Sequence, residues 1–200
     1  MNEDKRVILI IASHLLGYPA DDFVEESKAM ERLMREHTQS DEIKQNLIKA
    51  YAPLLRLSPQ ERKELYVETF DLKDKLGLYL TAHELGDSTK RGAALIKLQT
   101  VVKDAGFEQV EKELGDYMPM LFEFLAVGSE TEEYDRLYKR LAVAVQRMAN
   151  HIDEENPYAS ILTFLMQDVF PSPTKEEIEQ LANNREEADL DELPYPLMYQ

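Results

Sequence analysis

An all-α fold, a single compact helical domain of about eight to nine helices, is what this sequence predicts. Three observations carry that expectation. Apolar residues recur at helical spacing in nearly every long segment, and no segment sustains the period-two alternation of a strand. Glycine is scarce, seven in 200 residues, which disfavours strand-and-turn architectures and glycine-rich phosphate loops. The length suits one generous domain able to bury a proper core.

The elements follow in order. Val7 to Leu16 is apolar on most sides, as in a centrally packed helix, and Gly17 and Pro19 end it. Asp21 is placed to cap a second helix carrying Phe23, Met30, Leu33 and Met34. Ser40 or Asp41 starts a third, with Leu47, Tyr51 and Leu54 on one face. Ser58-Pro59-Gln60-Glu61 combines a hydroxyl N-cap, proline at the first helical position and a glutamate three residues after the cap. That helix runs into Tyr66-Val-Glu-Thr-Phe-Asp71, and Gly77 separates it from a helix in Leu78 to Leu85. Ser88 or Thr89 opens the next, Tyr117 to Leu125 is short with Pro119 in its first turn, and Glu132 to Ile152 carries Leu137, Leu141, Val145 and Met148. Tyr158 to Phe170 is the last buried helix, stopped by Pro171 and Pro173.

The chain divides into a helical domain over residues 1–173 and an acidic tail over 174–200, which contains prolines and tyrosines and is partly disordered by expectation. Residues 175–192 hold eight acids and two bases, compatible with one helix around Ile178 and Leu181. Leu193 to Tyr199 has two prolines and no periodicity, so extended or disordered chain is expected there.

Charge narrows the function. The 39 acidic and 23 basic residues give a formal charge of −16, which repels phosphate backbones and anionic lipids and attracts cationic partners. Nucleic acid is therefore excluded as a partner. With no cysteine, disulfides, thiolate metal sites and cysteine nucleophiles are excluded together, which suits a reducing cytoplasm. The apolar run Val7 to Leu16 is half the length a bilayer span needs, and the acids Glu3 and Asp4 before it do not fit a signal peptide. A cytoplasmic protein without membrane insertion is expected.

Enzyme motifs are missing. Neither a Gly-x-Gly-x-x-Gly nor a phosphate loop occurs, and His83-Glu84 lacks the second histidine of a zincin. The residues three before His14, His37, His83 and His151 are Ile11, Met34, Leu80 and Met148, so a Glu-x-x-His di-iron bundle fails too. The expectation is a protein that is not an enzyme and holds no metal or cofactor.

What stands out is a concentration of acids and rings between Tyr66 and Ala126. Tyr66, Glu68, Phe70 and Asp71 fall near a helix end. Tyr79 and His83 are four apart, as are Asp87 and Arg91, which suits one helical face and an ion pair. Asp116, Tyr117, Phe122, Glu123 and Phe124 repeat the mixture. Such a surface can receive a basic amphipathic peptide, rings meeting its apolar residues and carboxylates its arginines or lysines. The same aromatics suit a core, and the acids suit caps or ion pairs. The residues alone lead to an acidic all-helical binding module.

Four motifs in order, Leu-Leu-Gly-Tyr-Pro (15–19), Tyr-Val-Glu-Thr-Phe-Asp (66–71), His-Glu-Leu-Gly-Asp-Ser-Thr-Lys-Arg-Gly (83–92) and Glu-Leu-Gly-Asp-Tyr-Met-Pro (113–119), add a resemblance. The chain resembles the nitrate reductase delta-subunit family of molybdoenzyme assembly chaperones, over roughly residues 7–170. That resemblance implies a cytoplasmic, all-helical, cofactor-free chaperone. Its partner would be the apo catalytic subunit of respiratory nitrate reductase, bound partly through a basic N-terminal peptide until molybdenum cofactor is inserted. Proteins of molybdenum cofactor biosynthesis are further implied partners. The alternatives are a chaperone of twin-arginine leaders for another molybdoenzyme, or a plain acidic helical adaptor.

Carried over position by position, the resemblance matches Tyr66, Glu68, Phe70, Asp71, His83, Arg91 and Asp116 to family motifs, and the mixture of acids and rings adds Tyr79, Tyr117, Phe122 and Glu123 to the expected peptide-binding set. Glu68, Asp71, Asp116 and Glu123 would supply charge, and Tyr66, Tyr79, Tyr117 and Phe122 apolar contact. Two positions depart from the family pattern, with Gly115 where proline is common and Tyr117 where histidine is common. An imidazole role at 117 is thus lost, whereas hydrogen bonding or stacking survives in tyrosine.

Overall fold

The computed structural model describes residues 1–71, 73–107 and 113–188. Among them are ten α-helices and no strand beyond one isolated bridge. They are α1 (Glu3–Leu16), α2 (Phe23–His37), α3 (Asp41–Leu55), α4 (Pro59–Phe70), α5 (Leu80–Leu85), α6 (Arg91–Asp104), α7 (Met118–Val127), α8 (Glu132–Ala149), α9 (Ala159–Phe164) and α10 (Lys175–Ala188). No helix is long and apolar enough to cross a membrane among the described residues.

The apolar run of α1 forms the centre. Ile8, Leu9, Ile11, Ala12 and Leu16 are fully buried, and α1 touches α2, α3, α7 and the segment after α9. Its main partner is α7, whose Leu121, Phe122 and Leu125 are fully buried as well. Two cationic side chains tie α1 to its neighbours by capping exposed carbonyl ends. Arg6 Nη1 donates to Ala126 O at 2.9 Å and Lys5 Nζ to Val169 O at 3.0 Å. The stripe predicted for α8 is buried at Leu137, Leu141, Val145 and Met148, against α5, α7 and α9.

Local signals explain most helix starts. Ser40 Oγ accepts from Ile43 N, and Ser58 and Glu61 form a complete capping box. Asp21 does not cap α2. Its carboxylate turns to Lys63 Nζ at 2.7 Å, and Asp22 occupies the cap position, its carbonyl accepting from Glu25 and Glu26 N–H. The Ser88–Lys90 stretch is a turn, so α6 begins only at Arg91. The helix expected over 158–170 is divided, because Leu165–Val169 winds as a π-helical turn closed by Phe170 N–H to Leu165 O at 2.8 Å. The acidic stretch does form a helix, α10, while Leu193–Tyr199 lies outside the described residues.

The helix expected from Leu78 starts two residues later. Tyr79 is extended and bridges antiparallel to Tyr117, with Met118 N–H to Leu78 O at 2.8 Å and Leu80 N–H to Asp116 O at 2.9 Å. This short clasp joins the segment before α5 to the one before α7. It organises the region where most of the singled-out residues lie.

Candidate functional site

α4 places Tyr66 and Phe70 one turn apart on its buried face. Tyr66 meets Phe70 edge-on at 5.1 Å and Tyr18 at 5.3 Å, and Phe70 meets Tyr158 at 4.8 Å. Edge-to-face contacts of this kind hold rings in one arrangement. The Tyr66 and Tyr117 hydroxyls lie 2.9 Å apart, and Tyr117 Oη in turn donates to Leu16 O at 3.4 Å. The Tyr66 proton therefore points to Tyr117. Burial first, and then Tyr117, pushes the Tyr66 phenol far above its ordinary value.

Tyr117 continues the ring series to Tyr79, 5.6 Å away. Tyr79 donates its hydroxyl proton to Glu113 Oε2 at 2.8 Å, and burial, reinforced by that carboxylate, keeps the phenol protonated. Next to Tyr117, Asp116 is wholly buried. Its Oδ2 accepts from the Thr81 backbone N–H at 3.1 Å and from the Thr81 hydroxyl. Arg91 Nε donates to the same Thr81 oxygen at 3.1 Å, and a guanidinium nitrogen of Arg91 stands 3.9 Å from Asp116. Arg91 is therefore directed at Thr81 and Asp116, not at Asp87 one turn away. Asp116 Oδ1 is buried without a hydrogen-bond partner among the described residues.

The remaining predicted residues separate into two groups. Glu68 and Asp71 are exposed at the end of α4, beside the exposed Val67. Phe122 and Glu123 leave the tyrosine cluster. The Phe122 ring packs toward Phe170 at 6.0 Å, while the exposed Glu123 accepts from Ser13 Oγ at 3.0 Å. Tyr79 and His83 do not share a helical face, because Tyr79 is extended and precedes α5. His83 instead directs Nε2 to Gly77 O at 2.6 Å, so its proton sits on Nε2, and the buried Nδ1 has no partner among the described residues. Burial holds the imidazole below its ordinary pKa, hence neutral at pH 7.

Sequence reasoning passed over three contributors. Thr81 bridges Arg91 and Asp116, and its signal was a hydroxyl in the first helical turn with no capping role. Tyr158 closes the ring cluster from the start of α9. Tyr18 is 56% exposed above the buried Tyr66, and its signal was present in the Leu-Leu-Gly-Tyr-Pro motif. At Gly115 a Cβ would collide with the Gln99 side chain of α6, so this glycine lets α6 lie close over the clasp.

No nucleophile beside a general base emerges from these contacts. What they build is a buried hydrogen-bonded junction beneath a surface of rings and carboxylates. Residues 25–158, well over half of the chain and including Tyr66, Phe70, Tyr79, Thr81, Arg91, Asp116, Tyr117 and Tyr158, match the family model described as nitrate reductase delta subunit. The chain belongs to the nitrate reductase delta subunit family.

Two relatives align along most of their length. The chain is 28% identical over 177 residues to the probable nitrate reductase molybdenum cofactor assembly chaperone NarJ of Bacillus subtilis (strain 168), covering 88% of this chain and 95% of that one. It is 26% identical over 167 residues to the nitrate reductase molybdenum cofactor assembly chaperone NarJ of Escherichia coli (strain K12), covering 80% and 68%. A shorter match, 30% over 107 residues, relates it to the nitrate reductase-like protein NarX of Mycobacterium tuberculosis, covering 53% of this chain and 16% of that one. The family span begins inside α2 and ends at Tyr158, so this delta subunit family member carries α1, α9 and α10 outside the matched region.

Proposed function

We propose that this protein is a non-enzymatic, cytoplasmic assembly chaperone. It binds the apo catalytic subunit of a nitrate reductase and keeps it receptive until molybdenum cofactor is inserted, before membrane assembly. The observation that carries this reading is the nearly end-to-end similarity to a relative named as such a chaperone.

The contact surface we assign is the end of α4 with the turn after α1. Tyr18 and Val67 are exposed there, at 56% and 43%, and the Glu68 and Asp71 carboxylates stand free in solvent beside them. A basic amphipathic N-terminal segment of the catalytic subunit suits that composition. Charge speeds the encounter and ring contacts slow escape. Tyr66, Phe70, Tyr117 and Asp116 act from below by holding Tyr18 and α4 in place. Proteins of molybdenum cofactor biosynthesis are expected to meet the complex, not the free chaperone.

Calorimetric titration with a synthetic N-terminal peptide of the cognate catalytic subunit tests the reading, at two salt concentrations. The expected result is saturable binding that weakens with salt, and weakens about tenfold in a Glu68→Lys/Asp71→Lys variant. Asp116 is not reversed, because a buried lysine there would unfold the protein. Salt-independent binding, or equal affinity in the variant, would remove α4 as the contact surface. No binding by the folded protein would remove the peptide mechanism.

A further inference from the structure

Arg62 of α4 is a buried cation, 2% exposed, with little to hold it. Its Nη1 donates to Leu54 O in the last turn of α3 at 3.3 Å, and its guanidinium carbon lies 4.4 Å over the centre of the Phe23 ring. Its Nε is buried without a hydrogen-bond partner, and no carboxylate pairs with it, among the described residues. Taking a guanidinium out of water is costly, and one carbonyl and one ring face offset only part of that cost. A methionine of similar length would fill the same space without it. Stability by itself therefore does not explain an arginine here.

Its surroundings do. Phe23 is the first residue of α2, and His14 of α1 stacks on the same ring, with centroids 5.1 Å and planes 18° apart. That ring thus joins α1, α2 and α4. Lys63, next to Arg62, holds Asp21 at 2.7 Å, and Tyr66 meets Tyr18 edge-on at 5.3 Å. In this way α4 grips the turn between α1 and α2 at three places, Tyr66 on Tyr18, Lys63 on Asp21 and Arg62 on Phe23. The first involves a ring that is 56% exposed, and the second is a surface ion pair, which holds weakly. Only the third is buried on both sides, and a planar guanidinium over a ring face is directional. The Arg62 charge also reaches Tyr158 in the ring cluster, where it opposes the rise that burial imposes on the phenol.

We propose that Arg62 is a positioning residue of the contact surface. Through Phe23 it fixes the α1–α2 turn against α4, and so sets where Tyr18 stands when the catalytic subunit arrives. The inference rests on the reading of Tyr18 and the end of α4 as that surface.

Arg62→Met and Arg62→Lys in the full-length protein test it with three readouts. In urea unfolding, Arg62→Met is expected to be as stable as the wild type or more so. In the free protein, nuclear Overhauser contacts between the Tyr18 and Tyr66 rings are expected to weaken in Arg62→Met. Affinity for the synthetic N-terminal peptide of the catalytic subunit is expected to fall about fivefold in the same variant, because Tyr18 must then be ordered on binding. Arg62→Lys, which keeps a cation near the ring, is expected to fall between the two in both ring contacts and affinity. Undiminished Tyr18–Tyr66 contacts in Arg62→Met overturn the proposal. So does a failure of Arg62→Met to fold, or an affinity loss no larger than its loss of stability, since stability would then account for the arginine. A wild type that binds no peptide removes the contact-surface reading instead, and the ring contacts of the free protein still decide whether Arg62 positions Tyr18.

Discussion

The clasp around Asp116 and the rim at the end of α4 are built from the same residue types, acids beside tyrosines, and use them in opposite ways. In the clasp the rings of Tyr66 and Tyr117 and the Asp116 carboxylate are turned inward. Asp116 is wholly buried, Tyr66 and Tyr117 share a hydrogen bond, and Thr81 joins Arg91 to the carboxylate. On the rim, Tyr18, Val67, Glu68 and Asp71 face solvent, and Tyr18 meets the buried cluster at the edge of Tyr66. The lesson is that a mixture of acid and aromatic residues marks a region without saying which members bind and which support.

That contrast can be broken most sharply at Asp116. Replacing it by alanine leaves the Thr81 N–H and hydroxyl buried without their acceptor and leaves Arg91 without its nearest carboxylate. A loss of about 3 kcal/mol is expected in urea unfolding, with Asp116→Asn losing less. If the alanine variant unfolds like the wild type, the clasp does not hold the region together.

Next comes the tyrosine pair. Tyr117→Phe keeps the ring and removes the hydroxyl that serves Tyr66 and Leu16. About 1 kcal/mol of stability should be lost, with peptide affinity unchanged once folding is complete. A larger effect on affinity than on stability would move Tyr117 from support to contact.

Acid should weaken the molecule through two half-buried imidazoles. Burial lowers the pKa of His14 against the opposing pull of Asp22 and Glu123, and burial likewise dominates at His83. Below the ordinary histidine value of 6.5 the unfolded chain takes up protons that the folded chain refuses. Stability is therefore complete above that pH and falls as pH drops toward the lowered folded values. Urea midpoints measured between pH 7.5 and 5.5 should show this decline, and a His14→Gln/His83→Gln variant should flatten it.

The smallest stability effect belongs to the rim. Glu68→Lys/Asp71→Lys should change unfolding free energy by no more than about 0.5 kcal/mol, since both side chains are solvated. Its effect on peptide affinity, measured on the same samples, is what separates a binding rim from a merely soluble one.

Much of the architecture was legible because it rests on local chemistry. The Ser58–Glu61 box, the Ser40 cap, the apolar run of α1 and the α8 stripe are each set by residues within a few positions of one another. The errors have nonlocal causes. Asp21 abandons the α2 cap for Lys63, 42 residues away. Tyr79 leaves its expected helix because Leu78 and Leu80 bond across to Met118 and Asp116. Arg91 passes over Asp87 for partners brought near only by the clasp.

By itself, then, the sequence determined the helical class, the acidic field and the stretch in which acids and rings are concentrated. Periodicity, net charge and residue type are properties a chain has before it folds. Tertiary structure alone decided that Asp116, Tyr66 and Tyr117 lie beneath the surface while Glu68, Asp71 and Tyr18 lie on it. Those are outcomes of which segments meet, and a contact between residues fifty positions apart, like that of Tyr66 with Tyr117, leaves no trace in local pattern.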